Sequence, residues 1–240
     1  MSDVATHGIR KLVDYQIAQE AQRAIVELRR QGRVSDILWL LEHPPTITWG
    51  SSGGREHLLL PEETLRARGI RLVPSERGGD ATFHEPGQLV GYLIVDLRGE
   101  GDRDMHVYLR AVEEGLIRAL EQLGIRAERV EGRTGVWVPG APPRKIAAMG
   151  VRAKGWITSH GFALNVQNKL EGFGFVVPCG IPDAGVTSIE RELANLGREL
   201  GGQSAPPWDE LETRLHAELS RALRRPLRVL RGEEGCNIPR

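Results

Sequence analysis

Residues 135–166, GVWVPGAPPRKIAAMGVRAKGWITSHGFALNV, carry the pattern that decides the fold. Three β-type runs, 135–138, 145–151 and 156–166, are rich in apolar and β-branched residues, with Pro139-Gly140 and Pro142-Pro143 as turn signals between the first two. Short runs joined by turns predict an antiparallel or mixed sheet. Upstream, residues 11–30 read as a helix, with Leu12, Ile17, Ala21, Ala24, Ile25 and Leu28 at roughly helical spacing and Gly32 near its end. Residues 37–41 follow as a buried strand closed by His43-Pro44-Pro45, since neither proline can donate to a sheet ladder. Residues 61–68 read as a short helix, 70–73 as a strand, 75–88 as a polar glycine-rich loop and 89–97 as a central strand. Asp104 caps the next helix, which has Val107, Ala111, Leu116, Leu120 and Leu123 on its apolar side and Gly124 as terminator.

Downstream, residues 187–193 precede a Gly/Ser/Pro linker over 197–207, an amphipathic helix over 208–224 and a strand over 227–230. This order favours an α+β fold, a mixed and largely antiparallel sheet packed with helices, over a doubly wound parallel sheet. The expected organisation is a single domain, 1–240, in which the linker can set off a small C-terminal subdomain at 208–240.

The chain has 240 residues, 32 basic and 32 acidic, so no global field draws it to nucleic acid or an anionic membrane. Residues 1–15 are polar, and no stretch has the apolar length of a membrane span, so a cytoplasmic location is expected. Two cysteines, Cys179 and Cys236, build neither a disulfide framework nor a four-cysteine zinc site. Only Lys11, Lys145, Lys154 and Lys169 among the 32 basic residues are lysines. Arginine does not give up its proton in a protein, whereas a buried lysine can act as an acid or base.

Three segments can carry chemistry. In Arg77-Gly78-Gly79-Asp80-Ala81-Thr82-Phe83-His84, the paired glycines let the backbone approach a ligand and aim N–H groups at an oxyanion; a polar hairpin connection has the same composition. Lys145 heads the apolar run Ile146-Ala147-Ala148-Met149-Gly150-Val151, either as a solvated flank or as a desolvated amine that exchanges a proton. Cys179 lies between Pro178 and Gly180, in a turn, either as an inert thiol or as a nucleophile that needs a neighbouring base. Lys154 and Lys169 read as surface residues, and Cys236 as incidental.

Together the strings RGGDATFHEPGQ, KIAAMGV, HGFALNV and PCGI resemble, in order and spacing, those of the lipoyl(octanoyl) transferase family. The resemblance covers roughly residues 30–195. It implies a catalytic domain similar to that of biotin and lipoate protein ligases and a dyad of Cys179 and Lys145. It further implies an acyl pocket formed by Arg77, Gly78, Gly79, Asp80, Ala81, Thr82, Phe83 and His84, by Ala148, Met149 and Gly150, and by Gly161, Phe162 and Ala163.

The implied reaction moves an octanoyl or lipoyl group from acyl carrier protein, through a cysteine thioester, to a lysine of a lipoyl-domain protein, the first step of endogenous lipoate biosynthesis. The implied acceptors are the lipoyl domains of 2-oxoacid dehydrogenase E2 subunits and the glycine cleavage H protein, and the implied state is a monomer. No metal or cofactor is expected, and backbone N–H groups of Gly78, Gly79 and Cys179 are the expected oxyanion donors. The PCGI string argues against an ATP-dependent ligase, which needs no cysteine, and retention of Lys145 and Cys179 argues against a non-catalytic binding protein. Glu85 departs from the family pattern, which has glycine there; a positive φ at that position would penalise glutamate.

Overall fold

The computed structural model describes residues 12–99, 101–176, 185–200 and 205–238, the side chains of 198–200 excepted. Among these, eight strands form the main sheet: β1 (Ile37–Leu41), β5 (Gln88–Ile94), β6 (Glu128–Val130), β7 (Arg133–Val138), β8 (Arg144–Lys154), β9 (Ile157–Asn165), β10 (Gly185–Val186) and β11 (Arg228–Arg231). Their order is β11-β1-β5-β9-β8-β7-β6, with β10 paired to β8. Pairing is antiparallel except for β1 with β11 and β8 with β10. The α+β expectation therefore holds. β5 is covered on both faces, and all its residues are buried, which is why its sequence is a near-continuous apolar run.

One face of this sheet packs on α3 (Met105–Glu121), α4 (Ile189–Leu200) and α5 (Trp208–Leu223), around Leu38, Leu93, Leu116, Leu164 and Leu215. The other packs on α1 (Tyr15–Arg30), around Ile25, Trp39, Tyr92 and Ile94. A second sheet, in the order β3-β2-β4, joins β2 (Thr46–Trp49), β3 (Arg71–Pro74) and β4 (Thr82–His84), and has its own core with α2 (Glu62–Ala67) and Phe173. At the C-terminal end, α5 packs against α3, and β11 extends the main sheet beside β1. No helix among the described residues is long and apolar enough to cross a membrane.

Several readings shift. Asp14 caps α1, its carboxylate accepting from the N–H groups of Gln16 and Ile17 at 2.8 and 3.1 Å. The buried stripe of that helix is Tyr15, Ala18, Gln22, Ile25 and Leu28, while Ile17 is 55% exposed. The hydrophobic spacing misleads here because a polar residue, Gln22, occupies a buried position, where its side-chain oxygen accepts from the His160 backbone N–H at 2.7 Å. In α3, Asp104 is the N-cap, but Val107 is 64% exposed; Tyr108, Val112, Leu116 and Leu120, four residues apart, form the inward row. The loop expected over 75–88 contains β4, and β2 follows Pro45 directly; strands of three and four residues carry too little alternation to be read alone. Helix α4 runs through Gly197, so the linker begins later than expected.

The β8–β9 hairpin keeps a continuous register from Ala147 opposite Leu164 to Lys154 opposite Ile157. Between β7 and β8 the register slips: Val136 faces Ala147, but Trp137 faces Lys145. Ile146 is the extra residue, and both Ile146 and Ala147 enter the core with α3. The bulge thus puts Lys145 on the opposite face, with Trp137, Ala148 and Gly150.

Candidate active site

On the α1 side of the main sheet lies a cavity of about 40 Å³. Its floor is strand surface: Val90 and Tyr92 from β5, Ala148, Met149 and Gly150 from β8, and Gly161, Phe162 and Ala163 from β9. Its other walls come from Arg77, Gly79 and Asp80 in the loop before β4, from Thr82 and His84 in β4, and from Tyr15 and His160. The floor is flat because its residues are small where the loop comes down. A Cβ on Gly150 would stand 2.8 Å from the Gly78 carbonyl oxygen and 3.0 Å from Arg77 Cδ. The loop settles there through the Gly78 N–H, which donates to the Val151 carbonyl at 3.0 Å, and turns at Gly79 with φ +86°.

Most of the residues expected to form an acyl pocket meet around this cavity, and three do not line it. The Gly78 N–H is committed to Val151, so it is not an oxyanion donor. Ala81 and Phe83 point into the core of the smaller sheet, where the Phe83 ring lies 6.3 Å from that of Phe173 and 6.2 Å from that of Phe175. Conversely, Tyr15, Val90 and Tyr92 line the cavity without belonging to any of the quoted strings. The alternation of Val90 and Tyr92 along β5 was the available signal; Tyr15 had none, because it reaches the site only by the docking of α1. His160, which heads the HGFALNV string but lies outside the expected acyl pocket, also lines the cavity.

Arg77 is buried, and its guanidinium donates to Thr48 Oγ1 and the Thr48 carbonyl, both at 2.9 Å, and to the Gly78 carbonyl at 3.2 Å. These acceptors are all neutral, so the cation keeps its field at the cavity. Burial holds His43, His84 and His160 below their ordinary value, and the Arg77 charge adds to this for His84 and His160. His43 Nδ1 lies 2.6 Å from the Val13 carbonyl, which can only accept, so Nε2 at 2.7 Å accepts from the Tyr92 hydroxyl. Burial lowers the His43 pKa to about 4. Burial, with neighbouring His43 and Arg77, holds His84 well below its ordinary value. Asp80 anchors the loop rim by accepting from its neighbour Ala81 N–H and pairing with His57, whose pKa is raised chiefly by that hydrogen bond.

Lys145 is half-buried, with Nζ 4.6 Å from the centroid of the Trp137 ring. Cys179 lies outside the described residues. The described chain resumes at β10, where Gly185 and Val186 pair in parallel with Arg144 and Lys145, and the Thr187 N–H donates to the Lys145 carbonyl at 3.0 Å. A buried chain of amides links that point to the cavity: Asn165 Nδ2 donates to the Thr187 carbonyl, Gln88 Nε2 to Asn165 Oδ1, and His84 Nδ1 to Gln88 Oε1 at 2.8 Å. Lys154 and Lys169 are exposed. Cys236 is half-buried against the core beneath α1, where burial pushes its thiol up, so it is packed rather than loose.

Glu85 has no positive φ. Its carboxylate accepts from Asn168 Nδ2 at 3.0 Å and from the Leu170 N–H at 2.9 Å, tying the turn before β5 to the segment after β9.

The sequence pattern of the lipoyl protein ligase A/B catalytic domain matches residues 14–219. An octanoyltransferase of Koribacter versatilis is 50% identical over 182 residues, which cover 75% of this chain and 72% of that protein. One of Chloroflexus aurantiacus is 43% identical over 220 residues, covering 91% and 93%. Among solved structures, a lipoate-protein ligase A bound with ATP superposes with a TM-score of 0.68 over 94% of this chain and 89% of that one, at 18% identity. A bipartite lipoate protein ligase of Thermoplasma acidophilum gives 0.66 over 94% and 87%, at 19% identity. At such identities the structural likeness speaks for the fold. The extent of the domain match and the identity to relatives over most of their length speak for more: the chain belongs to the lipoyl protein ligase A/B catalytic-domain family and, within it, to the octanoyltransferases.

Proposed function

We propose that the protein transfers an octanoyl group from acyl carrier protein to a lysine of a lipoyl domain, with Cys179 as nucleophile and Lys145 as acid-base group. Lys145 takes the thiol proton, and the Cys179 thiolate attacks the donor thioester carbonyl. The carbon–sulfur bond to the carrier breaks, the departing thiolate takes the proton back from Lys145, and an acyl-enzyme thioester remains. The acceptor amine then attacks that thioester, gives a proton to Lys145, and displaces the Cys179 thiolate as the amide forms. Acyl activation is inherited from the donor thioester, so no ATP is consumed. In this reading the enzyme works in the cytoplasm as a monomer and takes lipoyl domains of 2-oxoacid dehydrogenase E2 subunits and the glycine cleavage H protein as acceptors.

The observation that carries the reading is the pairing of Val186 with Lys145. It brings the chain leaving the Cys179 segment, six positions before Gly185, alongside the lysine that the β8 bulge turns to the cavity face. The acyl chain has an apolar strand floor to lie on, where burial contributes about 0.8 kcal/mol per methylene. The Gly79 N–H replaces that of Gly78 as the loop's candidate oxyanion donor.

Intact-mass spectrometry after mixing with octanoyl-acyl carrier protein tests the reading. Wild type and Cys236→Ala should each gain one octanoyl group without ATP, and Cys179→Ala should gain none. A strict ATP requirement for acyl transfer would replace it with a ligase mechanism like that of the structural neighbours.

A further inference from the structure

We infer that Trp137 is a positioning residue for the lysine: its indole face seats the Lys145 amine and stabilises the charge that amine acquires when it takes up a proton. This role deepens the acyl-transfer reading above and rests on it.

The seat is built into β7. Arg133, Gly135 and Trp137 alternate along the strand and share the face that the bulge gives to Lys145. At Gly135 a Cβ would stand 3.6 Å from Lys145 Cε and 2.6 Å from the Ala147 carbonyl oxygen, and φ there is +116°, so the lysine stem lies where β7 has no side chain. The stem ends with Nζ 4.6 Å from the centre of the Trp137 ring. Trp137 is 1% exposed yet stands outside the three apolar cores of the described residues. Its Nε1 has no hydrogen-bond partner among them, whereas Trp39, also buried, donates to the Gly232 carbonyl at 2.7 Å. An unmet buried donor is a cost that an aliphatic side chain would avoid. What the indole supplies instead is a π face, which attracts a cation and does little for a neutral amine.

The face therefore acts on one side of a proton transfer. When the Cys179 S–H bond breaks and the proton passes to Lys145, the new ammonium gains the ring's attraction, and the thiolate–ammonium pair is favoured over thiol and amine. Among the described residues, the neighbouring elements bring both signs of charge. Arg133 of β7 has Cζ 5.9 Å from the centre of the same ring and opposes a second cation there, but Lys145 holds the closer place. Arg144 of β8 is paired with Glu192 of α4, and β10 brings Gly185 and Val186 alongside, neither of which titrates. Glu113 of α3 accepts from the Gly135 N–H at 3.0 Å and is paired with Arg110 and Arg129. Along the floor, Arg77 and Asp80 carry charge at the cavity, Arg77 hydrogen-bonded to Thr48 and Asp80 to His57.

The chain has four lysines, so 13C-labelled lysine gives a simple spectrum in which Lys145→Arg identifies the Lys145 signals. In wild type the ε-methylene protons of Lys145 should be shifted upfield by the indole ring current, in Trp137→Phe less so, and in Trp137→Leu not at all. Loss of the face in Trp137→Leu should lower the pH midpoint of the Lys145 titration by about one unit, because only the ammonium loses stabilisation. Octanoyl loading of the full chain from octanoyl-acyl carrier protein should then reach a maximal rate about tenfold lower, at an unchanged half-saturating donor concentration, and Trp137→Phe should recover most of it. Circular dichroism checks folding. Should Trp137→Leu not fold, the wild-type chain grown with 5-fluorotryptophan keeps the shape of the ring while thinning its π density, and its Lys145 midpoint should move in the same direction. Among the five tryptophans, Trp137 is the one with a described lysine over its ring. An unchanged midpoint in the folded leucine variant or in the fluorinated chain, or loading in Trp137→Phe as slow as in Trp137→Leu, overturns the seat and leaves the acyl-transfer reading standing. A wild type that takes up no octanoyl group overturns that reading and the role of Trp137 with it.

Discussion

Lys145 Nζ stands 4.6 Å from the centre of the Trp137 ring, on the face of β8 opposite Ile146 and Ala147. A cation over an indole face is favoured whether it is an ammonium or a guanidinium. Lys145→Arg should therefore place a permanent positive charge over Trp137 and leave the fold intact. It should nevertheless lose nearly all transfer, by about 10² to 10⁴-fold, because arginine neither accepts the thiol proton nor returns it. Alkylation of Cys179 as a function of pH, in wild type, Lys145→Arg and Lys145→Ala, separates the roles. Retained thiolate reactivity with lost transfer in the arginine variant supports proton shuttling, and near-wild-type transfer there would remove Lys145 from it.

Gly150→Ala should leave the main sheet folded and displace the 77–79 loop, since the new methyl would meet the Gly78 carbonyl oxygen at 2.8 Å. Overpacking of this kind costs about 1–3 kcal/mol. We expect transfer to fall while the midpoint of urea unfolding drops only modestly. Wild-type kinetics in this variant would show that the loop need not rest on β8.

Glu85→Ala should remove two acceptor contacts, to Asn168 and to the Leu170 N–H, and cost about 1–3 kcal/mol. Glu85→Gln keeps an oxygen in the same place and should recover part of that loss. Urea titration of both variants checks the ordering. Equal stability of the alanine and glutamine variants would mean that the carboxylate oxygen is not what holds the 168–170 segment.

Acid should destabilise the protein before its carboxylates titrate. The His43 pKa is depressed from 6.5 to about 4 in the folded protein and that of His160 to about 3, so the unfolded chain binds these protons first. Their contribution is complete above the unfolded value near 6.5 and is lost as pH falls towards the folded values. His43 alone accounts for a loss on the order of 3 kcal/mol across that window. Asp96, lowered to about 2 mainly by Arg98, loses its contribution only at lower pH. Unfolding free energies measured from pH 7 to pH 4 should decline steadily, and in His43→Gln the decline should be shallower. A flat profile in wild type would contradict the neutral-histidine assignment.

The sequence by itself determined the elements whose burial follows from a regular apolar period or a strong terminal signal. β1 and the core of β5 came from continuous apolar runs, α3 from its Asp104 cap, and the β8–β9 hairpin from two β-type runs. Three of the four strings likewise named most of the residues that meet at the cavity, because a backbone that must pass close to another leaves small residues in the chain. Tertiary structure alone decided the rest. β2 and β4 are too short to specify themselves and exist by pairing with each other. Tyr15 enters the site by helix docking, and Gln22 is buried because a backbone N–H some 138 positions along the chain needs its oxygen. Lys145 is the sharpest instance. Strict alternation from Ala147 would send it into the hydrophobic core, and one extra residue opposite Trp137 turns it to the other face. A bulge is set by how neighbouring strands fit, so its consequence for the charge appears only once β7 and β8 are paired.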